Sequence, residues 1–314
     1  MEMKSFHLDI MDIVKGDKNM NRLLGVYKNG NYSVKILMDG TKIRETEEDD
    51  FIPSFAENCD VKITDKCDGG CPFCYEGCTP NGRHGDILNQ KFLDTLHPCT
   101  EMAINGNDLT HPDLIPFLEK LHEKRVIANM TVNQIHFERC QDMIRDLVDK
   151  GLIFGLGISL KNPTSEFIEL VKQYPNAVIH TINGILSPTD VEMLSGHNLK
   201  MLILGYKQLR RGVDWYDTDH ENIVVKQMWL KENLDSILSK FNVVSFDNLA
   251  INQLDVKRLM SEEEWQEFYM GDDSEFTFYL DLVEGTFGKN SLATTRYTIT
   301  DSIDDMFDKI RLRK

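Results

Sequence analysis

A chain of 314 residues, 41% hydrophobic and 27% charged, is long enough to bury a sizeable core, either as one large α/β domain with appendages or as two ordinary domains. No stretch approaches the roughly 20 apolar residues of a membrane span, and the opening MEMKSFHLDIMDIVKGDKN carries acids early with no continuous apolar run, so neither a membrane partner nor a secretory signal is expected and the location by default is cytoplasmic. A net charge of −16 repels a phosphate backbone and argues against a nucleic-acid partner.

Residues 1–55 read as an N-terminal β-meander: LLGVY, YSVKILM and a short polar strand, separated by KNGN and DGTK. Asn29-Gly30 and Asp39-Gly40 are two-residue hairpin signals, because such pairs tolerate positive φ between alternating apolar runs. The acidic run TEEDD then reads as a solvated linker.

Residues 56–260 change rhythm. Short β-type runs at 61–64, 102–104, 126–131, 154–159, 177–181, 200–204 and 243–246 alternate with helical patterns such as PDLIPFLEKLHEK, FERCQDMIRDLVDK and PTSEFIELVKQ. Strand, helix, strand in this order predicts a parallel sheet, and six or seven units suggest a partial TIM-like (β/α)6 barrel. The last segment, 261–314, contains EFTFYLDLV, GTFGKN and ATTRYTI, then the short helix DSIDDMFDKI and a basic tail. These are expected to form a C-terminal β-hairpin and helix cap that pairs with the meander, and the two extensions are expected to close over the barrel mouth.

Seven cysteines, an odd number in a large chain with no secretory signal, point to reduced thiols used for metal binding or catalysis. Four fall in KITDKCDGGCPFCYEGC, three of them with the spacing Cys67-x3-Cys71-x2-Cys74, after the first parallel strand and before a helix expected near Ile87. Three thiolates on one tight loop can ligate three irons of a [4Fe-4S] cube and leave the fourth open. Gly69 and Gly70 let the backbone fold closely there. A zinc site made by Cys67, Cys71, Cys74 and Cys78, giving a non-catalytic metal-binding scaffold, is the alternative, although structural zinc usually takes two well-separated ligand pairs.

The spacing, with Phe73 before the last cysteine and Tyr75 after it, resembles the signature of the radical S-adenosylmethionine (SAM) superfamily. The resemblance implies that the open iron binds the amino and carboxylate groups of SAM. It further implies that an electron from the cluster, delivered by a partner such as flavodoxin or ferredoxin, cleaves SAM to a 5′-deoxyadenosyl radical. In AINGNDLTHPDL, the run Asn105, Gly106, Asn107, Asp108 with His111-Pro112 is similar to the Gly-Gly-Glu-Pro segment that holds the SAM amino group. Asn107 stands where the family's Glu usually sits, and Asp108 is the candidate for the missing charge.

The later strands end in NMTVNQ, GISLKN and HTINGI. The resemblance makes Thr131, Asn133, Ser159 and Asn183 further SAM-binding candidates; helix N-capping is the other use of such residues. Lys207, Arg210 and Arg211 form the densest basic cluster, read either as solvated or as a site for an anionic substrate group, and Arg83 and His84 carry the same two readings. Cys78 is a candidate radical or thiolate participant, whereas Cys99 and Cys140 read as small buried hydrophobes.

No cysteine follows Cys140, so the cysteine-rich extension of many peptide-maturing members is absent and one cluster is implied. As a whole-chain pattern the sequence looks like small radical SAM proteins of bacterial and phage genomes. The implied activity, of the oxidoreductase or transferase class, is hydrogen abstraction from a peptide, a protein or a small molecule. Radical modification of a nucleotide or nucleic acid is the alternative, resting on the Lys207 to Arg211 cluster.

Overall fold

The computed structural model describes residues 22–107 and 109–311. Asp108, the opening segment and the end of the basic tail lie outside these. A three-stranded antiparallel sheet, β1 (Leu23–Asn29), β2 (Tyr32–Leu37) and β3 (Lys42–Glu45), forms the expected meander. Asn29 pairs with Tyr32, so the first loop is Gly30-Asn31, one residue later than the Asn29-Gly30 signal; Gly30 takes φ +56°. Asn29 is unavailable to that loop because its buried amide binds the backbone of Ser54 and Phe55.

The main sheet has ten strands. Seven follow one another in chain order: β4 (Asn58–Lys62), β5 (Glu101–Asn107), β6 (Ile127–Asn133), β7 (Gly155–Ser159), β8 (Ala177–Ile182), β9 (Lys200–Leu204) and β10 (Val243–Phe246). All pair in parallel with their neighbours. Three more, β11 (Thr277–Asp281), β12 (Thr286–Gly288) and β13 (Tyr297–Thr298), extend the sheet beyond β4, β11 parallel to it and the rest antiparallel. The hairpin therefore joins the main sheet and does not pair with the meander, which overturns that expectation. Its apolar strand buries on both faces when laid beside β4, as parallel strands require.

No pairing joins β10 to β13 among the described residues, so the fold is α/β with a large, mostly parallel, open sheet. Side chains bridge the segments at its two sides: the Asn248 amide, just after β10, donates to Asp273 Oδ1 (2.9 Å) and to Gly271 O (3.3 Å), just before β11.

The strands alternate buried and half-exposed residues. The buried set packs on helices at three-to-four spacing, among them α1 (Leu114–Glu123), with Leu114, Phe117, Leu118 and Leu121 turned inward. Each such side chain contributes about 1.5–3 kcal/mol by leaving water. The region 137–150 breaks at Cys140 into α2 (Gln134–Arg139) and α3 (Gln141–Asp149); α4 (Ser165–Val171) and α5 (Pro188–Leu194) follow, both capped by a hydroxyl. α6 (Arg211–Leu238), broken by a kink at Asp219 (φ −123°, ψ 24°), and α7 (Asn248–Leu254) flank β10, and α8 (Glu262–Phe268) and α9 (Ile303–Arg311) close the order. The helix expected near Ile87 is absent; one 3₁₀ turn occurs at Lys91–Thr95, with Phe92 and Leu93 buried.

The meander sits at the N-terminal ends of the parallel strands. Buried Glu57, just before β4, accepts from the meander's Arg44 Nε (2.8 Å) and Tyr32 Oη (2.7 Å), while Lys42 Nζ spans Glu57 (3.3 Å) and Glu101 (2.5 Å), the first residue of β5. Burial pushes the Glu57 carboxyl up, but Arg44 and Lys42 outweigh it and hold it below its ordinary value. Lys200, the first residue of β9, donates to Asp39 O (3.1 Å). The meander thus closes the end of the sheet opposite the cysteine loop and does not cover the strand ends that carry it, contrary to expectation.

Candidate functional site

β4 runs into a loop that carries Cys67, Cys71, Cys74 and Cys78. The loop is pinned at both ends by its own backbone: Cys67 N donates to Thr79 O (2.9 Å), and Thr79 N to Asp65 O (3.0 Å). Gly70 adopts φ +63°, a conformation that costs other residues about 1 kcal/mol or more. A Cβ on Gly69 would lie 3.3 Å from Cys67 Sγ and 3.4 Å from the His136 ring, a tight fit that would need small shifts of these side chains.

Each thiol has its own neighbour. Gly69 N donates to Cys67 Sγ (3.4 Å), Asn133 Nδ2 to Cys71 Sγ (3.4 Å), and the Cys74 and Cys78 thiols hydrogen-bond each other. The Cys78 bond, followed by the Arg211 charge, holds the Cys74 thiol below its ordinary value, and Cys78 is raised in turn. Burial raises Cys71, against the pull of Lys161 and Arg211. No group of three or more His, Cys, Asp or Glu side chains among the described residues is gathered closely enough to hold a metal. The donors nevertheless suit an iron–sulfur cluster chemically: three half-buried thiols on one tight loop, with two amide donors and two cations beside them. The remaining thiols split: Cys59 is buried, whereas Cys99 and Cys140, expected to be buried, are half-exposed.

Cys71 and Phe73 line a cavity of about 120 Å³ with Asn133, Ser159, Lys161 and His180. This brings the ends of β6, β7 and β8 to the cysteine loop. Asn133 also caps α2, accepting from Ile135 N (3.1 Å), so the capping and site readings hold together for this residue. Thr131 faces the same side one turn of strand below, its hydroxyl against Gly157. Asn183 does not line the cavity: it is buried, donates to Gln253 Oε1 (3.0 Å), and leaves its own Oδ1 without a hydrogen bond among the described residues.

The C-terminal end of β5 is occupied with the cysteine loop itself. Asn105 Oδ1 accepts from Ile63 N (2.7 Å) and Asn105 Nδ2 donates to Thr64 O (3.3 Å). Asn107 Nδ2 donates to Thr64 O (3.1 Å), Lys66 O (3.3 Å) and Cys78 Sγ (3.3 Å). Gly106 must stay small because Met130 Cγ would lie 2.8 Å from a Cβ. Buried His111 faces Gly85 O (3.0 Å) and stacks edgewise on His84, which binds Thr64 Oγ1 (2.9 Å).

The basic cluster is turned onto the cysteine loop. Lys207 Nζ lies 4.3 Å over the Tyr75 ring and donates to Ser291 Oγ (3.1 Å); Arg210 Nη1 donates to Glu76 O; Arg211 Nη1 donates to Cys78 O (2.8 Å). Lys207 and Arg211 are partly buried against the loop, whereas Arg210 keeps half of its side chain exposed. Arg83 is exposed and paired with Glu284 (2.5 Å).

Seven residues at or near the loop escaped sequence reading. Asp68 meets buried His136 Nε2 and Arg139 (2.9 Å), and Arg139 first of all holds its carboxyl far below the usual range. Lys161 Nζ donates to Gly69 O (2.8 Å). Burial holds the His180 imidazole down to about 4. Lys62 and Glu76 form an ion pair beneath the loop (3.2 Å). The signal for Lys62 was a lone lysine in an apolar strand, which is buried only when paired.

No helix of the described residues is long and apolar enough to cross a membrane. No family model and no curated protein matches the chain. Several solved structures are similar to it. One is Streptococcus suis SuiB bound to S-adenosylmethionine, at 14% identity over 83% of this chain and 68% of that one, with a TM-score of 0.48. Another is Mycobacterium tuberculosis tryptophan synthase, at 9% identity over 69% of this chain and 94% of that one, with a TM-score of 0.31.

Proposed function

We propose that this chain is a radical SAM enzyme that abstracts a hydrogen atom from a peptide, protein or small-molecule substrate. The carrying observation is that Cys71, the middle cysteine of Cys-x3-Cys-x2-Cys, lines one cavity with Asn133 and Ser159 from the ends of two parallel strands. Cys67, Cys71 and Cys74 are assigned as ligands of a [4Fe-4S] cluster. Such a group, once reduced by flavodoxin or ferredoxin, supplies the electron that splits SAM into methionine and a 5′-deoxyadenosyl radical. The curved, partial-barrel form of the sheet belongs to this reading, since curvature would set the strand ends around one mouth.

The chain's own residues bind and orient. Asn133 donates to the Cys71 sulfur, and Lys161 and Arg211 favour its ionised form. Ser159 and Thr131 offer hydroxyls for a ribose. The Asn107 amide nitrogen is spent on the loop, so its carbonyl oxygen is the acceptor assigned to the SAM ammonium. His180, neutral through burial, presents an uncharged donor or acceptor to the cavity. With Lys207, Arg210 and Arg211 engaged by the loop, no observation favours a nucleotide substrate.

Metal analysis of anaerobically purified and reconstituted protein tests the assignment. About four irons with matching sulfide per chain are expected, falling sharply in Cys67→Ala, Cys71→Ala and Cys74→Ala. One zinc per chain, retained through reconstitution, would establish the scaffold reading instead.

A further inference from the structure

We infer that Glu76, anchored by the buried ammonium of Lys62, is a positioning residue for the cysteine loop, and that strand β11 is thereby part of the site. The relevance to a cluster rests on the function proposed above; the geometry does not. Glu76 lies between Cys74 and Cys78, and its carboxylate is where three elements converge. Lys62 Nζ, on β4, is 3.2 Å from Glu76 Oε2. Tyr279 Oη, on β11, donates to Glu76 Oε1 (3.5 Å). Arg210, at the start of α6, donates to the Glu76 main-chain oxygen and lies 3.7 Å from its carboxylate.

Lys62 is 1% exposed and also meets Asp65 (2.5 Å) and Asp281 of β11 (3.4 Å), so one ammonium serves three carboxylates. A lysine in this position is held charged: burial works to lower it, but Glu76, Asp65 and Asp281 together raise it above its ordinary value. The arrangement has a directional consequence. Without Lys62 three acids are left facing one another, whereas without the Glu76 charge Lys62 keeps two partners. Neutralising Glu76 therefore loosens the loop while the buried ammonium keeps the charges of Asp65 and Asp281 beside it. The loop's own backbone bonds near Glu76 are few, Gly77 N to Cys74 O (3.1 Å) and Cys74 N to Cys71 O (3.3 Å), so its shape depends on these side chains.

The test compares wild type, Glu76→Gln and Glu76→Asp as full-length, reduced protein. Amide hydrogen exchange, which thiol ionisation does not perturb, is followed across 67–79 and across β6. Exchange in 67–79 is expected to rise about tenfold in Glu76→Gln, the scale of one lost charged hydrogen bond, and to return toward wild type in Glu76→Asp, with β6 unchanged. Unchanged exchange in the loop, or an equal rise in β6, overturns the inference. Iron content and the visible absorption band after reconstitution are read in parallel, and both are expected to fall in Glu76→Gln and recover in Glu76→Asp. A wild type that takes up no iron would defeat the proposed function while leaving the exchange result to decide the role of Glu76.

Discussion

The Asn133 side chain joins a helix to a thiol: its oxygen accepts from Ile135 N (3.1 Å) to cap α2, and its nitrogen donates to Cys71 Sγ (3.4 Å). The two halves of the amide can be separated by mutation. Asn133→Asp keeps the cap and puts a negative charge where the donor was, so fold stability should change little while the Cys71 thiol becomes harder to ionise. Asn133→Ala should cost about 1 kcal/mol through the lost cap. Urea unfolding reads the first quantity, and the pH dependence of Cys71 alkylation reads the second. A Cys71 profile in Asn133→Asp that matches wild type would contradict the contact.

Gly157 lies in β7 between two inward side chains, where a Cβ would come within 2.4 Å of His180 Cε1 and 2.6 Å of Thr131 Oγ1. Gly157→Ala is expected to destabilise by about 1–3 kcal/mol, as overpacking does, and to push His180 out of the cavity it lines. Chemical denaturation gives the first value, and the His180 ring resonances report the second.

The depressed His180 gives a pH dependence whose sign is fixed. Its folded value, about 4, is below the ordinary 6.5, so between these limits the unfolded chain binds more protons and stability falls as pH is lowered. The slope from one such group is at most about 1.4 kcal/mol per pH unit. His180→Asn should lose less stability than wild type between pH 7 and pH 5 in matched urea titrations. Parallel losses would show that the ring is protonated in the folded protein.

At the opposite end of the sheet, Lys42 neutralises Glu57 and Glu101 together. Lys42→Met should cost about 1.5–3 kcal/mol, the scale of a lost charged hydrogen bond, because Glu57 keeps Arg44 while Glu101 loses its cation, and the loss should shrink when Glu101→Gln is added. A double-mutant cycle measured by denaturation checks the coupling.

Much of this architecture was legible because it rests on local patterns. β9 and β10 fall where KMLIL and VVSF place them, since apolar runs between turn residues leave one choice. The 28 residues of α6 were harder to read: its buried set is Ile223, Leu230, Leu234 and Ile237, while Val225 and Met228 are exposed, so no clean stripe marks it. The placement of the hairpin was illegible for another reason. EFTFYLDLV is visibly a strand, but its neighbour, β4, lies more than 200 residues earlier in the chain, and no local pattern encodes that pairing. At the site, the cysteine spacing was plain, whereas the clamp of Lys62, Glu76 and Arg210 is made of charges that the fold alone brings together.

The proposed reductive cleavage of SAM at the cysteine loop is tested by reconstituting the protein anaerobically, reducing it, adding SAM, and quantifying 5′-deoxyadenosine and methionine. Both are expected to form in equal amounts, and Cys71→Ala to yield neither, under that proposal. A wild-type protein that carries a reduced [4Fe-4S] cluster yet releases no 5′-deoxyadenosine would contradict it.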